Sequence, residues 1–131
     1  MTIVVGFVAT KEGRAALNRA IDEARSRGSR LVVVSSNRGA RDFDPEAARI
    51  AEEELEQMTA DLRASGTEVE IRQLVRGNDP AEDLIAAADE TGADLIVIGL
   101  RRRTPVGKLI LGSNAQRILL DAPCAVLAVK G

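Results

Sequence analysis

Apolar residues along this chain fall into two kinds of pattern. Thr2 to Ala9 (TIVVGFVA), Arg30 to Ser36 (RLVVVSS) and Ala93 to Gly99 (ADLIVIG) are short, continuous apolar runs rich in β-branched residues. Runs of this kind mark strands covered on both faces. Glu68 to Val75 (EVEIRQLV) instead alternates, with Val69 and Ile71 apolar and then Val75, which predicts a half-exposed strand near a sheet edge. Cys124 to Val129 (CAVLAV) supplies a last strand.

Between these runs the period changes to that of a helix. Leu17, Ala20, Ile21 and Ala24 share one face, with Arg14, Asn18, Asp22 and Arg25 turned away, and Gly28 is placed to end the helix. Asn37 to Asp44 is a polar loop; Asp44 then caps a long helix opening at Pro45, whose apolar stripe runs through Ala47, Ala51, Leu55, Met58 and Leu62 until Ala64-Ser65-Gly66 stops it. Arg76 to Gly92 opens a third helix, with Asp79 as cap, Pro80 in the first turn and Glu82 at the capping-box position. Ala115, Ile118 and Leu119 form the face of a short fourth helix, broken by Asp121-Ala122-Pro123.

Strands and helices therefore alternate, with a loop inserted before the fourth helix. The pattern predicts an α/β fold, an open parallel five-stranded sheet with four helices on two faces. Right-handed crossovers leave few layouts, of which 3-2-1-4-5 is the one adopted here as the expectation. Residues 1–131 suffice for one domain and are too few for two.

Composition narrows the chemistry. The chain has no histidine, tryptophan or tyrosine, which removes histidine-based triads, most zinc sites and the usual general base. Two phenylalanines and a net charge of −2 argue against nucleic-acid binding. The apolar start has no basic leader and is too short to span a membrane, so no membrane association and a cytoplasmic location are expected. The one cysteine, Cys124, cannot form an internal disulfide and reads as an inert core thiol. Asp42 and Asp44 lie in the loop ahead of the second helix; a cap accounts for Asp44, and no metal site is expected.

The charge is uneven. Residues 99–131 carry Arg101, Arg102, Arg103, Lys108, Arg117 and Lys130 against Asp121, a balance of +5 that leaves −7 on the rest. A positive end on an acidic body suits a small anion. In open α/β sheets ligands sit beyond the carboxyl ends of strands where strand order reverses, here between the first and fourth strands. The loops meeting there are Val8 to Gly13 and Gly99 to Asn114 (GLRRRTPVGKLILGSN). Gly99 lets backbone approach a ligand closely. Gly112, Ser113 and Asn114 precede a helix, so their amides offer an anion site, with Arg101, Arg102 and Arg103 able to reach the same anion. Each feature also has a plain alternative: a turn for Gly99, an N-cap for Ser113 or Asn114, a solvated loop for the arginines. A Walker-type loop and a dinucleotide fingerprint are both absent from the sequence, and Phe7 and Val8 stand where a receiver domain would need paired acids.

The last third, GADLIVIGLRRRTPVGKLILGSNAQRILLDAPCAVLAV, resembles the universal stress protein family, and the likeness extends over essentially the whole chain. That family's nucleotide signature is Gly, two residues, Gly, nine residues, then Gly-Ser or Gly-Thr. Here Gly99 is followed by two residues, Arg102, nine residues and Gly112-Ser113. The resemblance implies a Rossmann-like domain, a cytoplasmic homodimer, and in some members binding of ATP or a related adenine nucleotide. It implies that Gly99, Gly112, Ser113 and Asn114 hold ribose and phosphates, with the Val8, Ala9 and Thr10 turn beside them.

Two departures bear on this. Arg102 replaces the second signature glycine, and either blocks the phosphate or lays its guanidinium on it. Val8 stands where the family commonly has an aspartate. The sequence thus leaves a nucleotide-holding stress module, a ligand-free dimeric interaction protein and a slow nucleotide hydrolase as readings, the last with least support because a base and a magnesium ligand are missing. No catalytic residue is assigned. Dimerisation is expected through the final strand, Ala125 to Val129, an apolar edge that needs a partner.

Overall fold

In a computed structural model, which describes residues 1–8, 10–35, 45–73, 79–100 and 112–131, each apolar run forms a strand. The elements in chain order are β1 (Thr2–Phe7), α1 (Lys11–Arg27), β2 (Arg30–Ser35), α2 (Pro45–Ala64), β3 (Val69–Gln73), α3 (Pro80–Thr91), β4 (Leu95–Leu100), α4 (Ser113–Asp121) and β5 (Ala125–Lys130). The strands pair in parallel in the order β3-β2-β1-β4-β5, as expected.

The central strands are apolar at successive positions because both faces are covered. Ile3, Val5 and Phe7 of β1 pack with Leu17, Ala20 and Ile21 of α1 and with Ala51, Leu55 and Leu62 of α2. Val4, Val32 and Ile96 point the other way, onto Leu84, Ala87 and Ala88 of α3 and Ile118 of α4. Burial of each such side chain contributes about 1.5–3 kcal/mol. The edge strand β3 buries Val69 and only half-buries Ile71, and β5 half-buries Val126, Leu127 and Val129 and exposes its other positions.

The helix ends follow local chemistry. Thr10 caps α1 by accepting the Gly13 N–H at 3.1 Å. Gly28 ends α1 with φ 63°, in the left-handed region that glycine enters without steric cost. Asp79 caps α3 by accepting the Ala81 N–H at 2.8 Å. Asp44, the expected cap of α2, and Val75 lie outside the described residues.

Two expectations change. Leu119 does not share the buried face of α4: Ile118 is buried and Ala115 half-buried, whereas Leu119 is 42% and Leu120 83% exposed. Consecutive helical residues are turned about 100° apart, so Leu119 faces away from the side on which Ile118 is buried. Glu82 holds the capping-box position but directs its carboxylate to Arg117 of α4, whose Nη2 donates to it at 2.8 Å. Among the described residues no helix is long and apolar enough to cross a membrane.

Candidate functional site

β1 continues to β2 on one side of the sheet's midline and β4 to β5 on the other, so a crevice opens between the carboxyl ends of β1 and β4. A cavity of about 310 Å³ occupies it. Gly6, Val8, Ile98 and Leu100 form its floor, and Pro80, Ala81 and Leu84 of α3 one wall. Gly112, Ser113, Asn114 and Ala115, at the start of α4, form another. Glu12 and Gly13 reach it from α1, on the opposite face of the sheet.

Three helices start at this cavity, and their ends differ. α1 has a side-chain cap, Thr10, and an acid in its first turn, Glu12. α3 has a charged cap, Asp79, with Glu82 and Asp83 behind it. α4 has neither: its cap residue is Gly112, without a side-chain cap bond, and no acid follows in the first turn. Neither Ser113 nor Asn114 caps the helix, which removes the plain explanation of Gly-Ser-Asn. The reason is geometric, since both residues already lie in the first helical turn. The positive end of α4 is therefore left uncompensated by its own side chains and opens onto the cavity. Gly112 is extended, φ −71° and ψ 167°, a conformation open to any residue.

Gly99 lines the cavity and also packs closely against α1. Its missing Cβ faces α1: a Cβ built there would overlap the carbonyl of Glu12, 2.7 Å from the carbonyl carbon. Gly13 likewise lacks the Cβ that would lie 2.9 Å from the Val8 carbonyl carbon. These glycines let the first turn of α1 press against the strand ends, and Gly99 contributes backbone to the cavity wall as a consequence. Thr10 is not among the lining residues; it is exposed, and its hydroxyl and N–H serve the turn, the N–H donating to Val8 O at 2.8 Å. Ala9, Arg101, Arg102, Arg103 and Lys108 lie outside the described residues, as do Asp42 and Asp44.

Sequence reasoning missed the contribution of α3 and of Glu12. It also missed Arg117, which ties α4 to the start of α3 through Glu82 and, at 3.5 Å, Asp79. Hydrogen bonding to Glu82, opposed by desolvation and then aided by the charges of Glu82, Asp79 and Asp121, raises the Arg117 pKa. No group of three or more metal-ligating side chains occurs among the described residues. The uncapped start of α4 suits one wall of the cavity to a small anion, and the apolar floor suits a body attached to it.

Comparison with known proteins gives a consistent picture. The sequence model of the universal stress protein family matches residues 1–130. A universal stress protein of Mycolicibacterium smegmatis is 48% identical over 128 residues, covering 98% of this chain and 96% of its own. A solved universal stress protein from Archaeoglobus fulgidus superposes with a TM-score of 0.75 at 39% identity, covering 99% of this chain and 98% of its own. An Archaeoglobus fulgidus universal stress protein solved in complex with dAMP superposes at 0.70 with 36% identity, over the same shares of the two chains.

Proposed function

The chain belongs to the universal stress protein family, and on that premise we propose that it is a non-catalytic stress-response module holding an adenine nucleotide, ATP or a relative, in the β1/β4 crevice. The observation that carries this is the uncapped N-terminus of α4 opening onto a cavity at the topological switch point. The dAMP complex of the related protein supports it. The amides of Gly112, Ser113 and Asn114 take the phosphate; Val8 and Gly99 shape the wall beside the nucleoside. Arg101 and Arg102 add charge to the anion, with Ala9 and Thr10 completing the turn.

Residues 1–131 act as one domain of this kind, cytoplasmic, and pair as a homodimer through Ala125 to Val129. β5 stands at the sheet edge with Val126, Leu127 and Val129 half-buried, which supports a partner strand there. The competing reading, a ligand-free interaction protein, draws on Val8, whose apolar side chain lines the cavity where the family commonly has an acid.

Thermal melts with and without millimolar ATP or AMP test the proposal, together with mass spectrometry of small molecules released from the denatured protein. A ligand at 100 times its dissociation constant stabilises the fold by about 2.7 kcal/mol, which gives a clear rise in Tm. No shift and no released nucleotide would leave the family membership standing and remove the ligand.

A further inference from the structure

Glu12 is the one charged side chain among the described residues lining the cavity. It is half-buried, and among those residues no hydrogen bond or ion pair engages its carboxylate. Its stem is held firmly. A Cβ on Gly99 would lie 3.1 Å from the Glu12 Cβ, and one on Gly131 would lie 2.6 Å from the Glu12 Cα, so two glycines at neighbouring strand ends clasp this residue. Glu12 is thus held on a fixed backbone, and it lines the crevice from the opposite sheet face to α4.

An acid in a cavity whose other wall favours anions has a specific consequence. It repels a bare anion and stabilises a ligand that offers hydrogen-bond donors away from its charge. The structure assigns Glu12 the role of a specificity-determining residue: it accepts hydrogen bonds from the neutral donors of the bound nucleotide, sugar hydroxyls or the base amine, while the α4 amides hold the phosphate. This rests on the nucleotide reading of the cavity. The site then distinguishes a nucleoside phosphate from an inorganic one, which the amides of α4 alone would not do.

Calorimetric titration of wild type, Glu12→Ala and Glu12→Gln with AMP and with inorganic pyrophosphate is the test. A hydrogen bond to a charged group corresponds to roughly tenfold or more in affinity. Glu12→Ala should weaken AMP by about that factor and leave pyrophosphate unchanged or tighter, with Glu12→Gln between the two for AMP because its carbonyl still accepts. In wild type, a preference for AMP over IMP that vanishes in Glu12→Ala assigns the amine, and one over dAMP assigns the 2′-hydroxyl. Tighter AMP binding by Glu12→Ala, or equal losses for AMP and pyrophosphate, would overturn the role of Glu12 while keeping the site. Wild type that binds neither AMP nor ATP would overturn the site and this role with it.

Discussion

Arg117 of α4 places its Nη2 2.8 Å from the Glu82 carboxylate of α3, and its Nη1 3.5 Å from Asp79, the residue that caps α3. One side chain thus couples α4 to the start of α3, the two helices that wall the cavity on this face. All three groups are substantially exposed, so screening is strong and the pair contributes modestly to stability. Arg117→Ala should lower Tm slightly in dilute buffer. The difference should largely vanish near 1 M salt, where the Debye length falls to about 3 Å. A loss of Tm that salt does not reduce would show that packing of the arginine stem, not charge, joins the helices.

The close approach of α1 to the strand ends depends on glycine at 99. Gly99→Ala puts a methyl group into the Glu12 carbonyl, and the obstacle is backbone, which cannot rotate aside. Overpacking of this kind costs about 1–3 kcal/mol. Gly112→Ala, at an extended position, is the control and should change stability by under about 1 kcal/mol. Urea melts of the two variants should separate them clearly; equal midpoints would mean that α1 moves freely from β4.

The proposed pairing through β5 makes a prediction about an exposed position. Ala128 is exposed and lies on the edge strand. Ala128→Lys adds a charge two residues before Lys130, and in a two-fold pairing sets like charges near one another. Light scattering after gel filtration should show the dimer dissociation constant rising at least about tenfold, with the monomer's melting behaviour nearly unchanged. An unaltered dimer would place the interface elsewhere.

Cys124 should be slow to react. Burial, and after it the charge of Asp94, raises the thiol pKa above the ordinary 9.0, so little thiolate exists at neutral pH. Iodoacetamide labelling at pH 7 should be slower than that of a free cysteine and accelerate only above about pH 9. Rapid labelling at pH 7 would contradict the half-buried placement.

Glu70 on β3 gives a pH dependence with a defined sign. The hydrogen bond from Arg72, opposed by desolvation and then reinforced by the Arg72 and Arg30 charges, lowers its pKa below 4.5. A carboxylate with a depressed folded-state pKa contributes stability above its unfolded value, and that contribution is lost as pH falls through the folded one. Glu70→Gln should therefore be less stable than wild type near neutrality, and the gap should close under acid conditions below about pH 4. A gap that widens on acidification would reverse the assignment.

Much of the architecture was legible because it follows from local rules. The continuous apolar runs of β1, β2 and β4 mark strands sealed on both sides, and the caps at Gly28 and Asp79 involve residues close in sequence. Thr10, which the family resemblance sets beside the nucleotide, caps α1 with its hydroxyl, and a threonine ahead of a helix fits either role in a one-dimensional pattern. Leu119 was read as core because period alone cannot tell which side of a short edge helix lacks a neighbour.

Sequence by itself determined the alternation of strands and helices, the parallel sheet and the family, since periodicity and the Gly99-to-Ser113 spacing are properties of neighbouring residues. Only the tertiary structure decided what Gly99 faces, that α4 begins without a side-chain cap at a cavity, and that Glu12 enters that cavity from the opposite face. Those relationships join residues 87 or more positions apart in pairs such as Glu12 and Gly99, brought together by packing across the sheet. A one-dimensional pattern records which residues are apolar; it does not record which atoms will occupy the space that a missing side chain leaves.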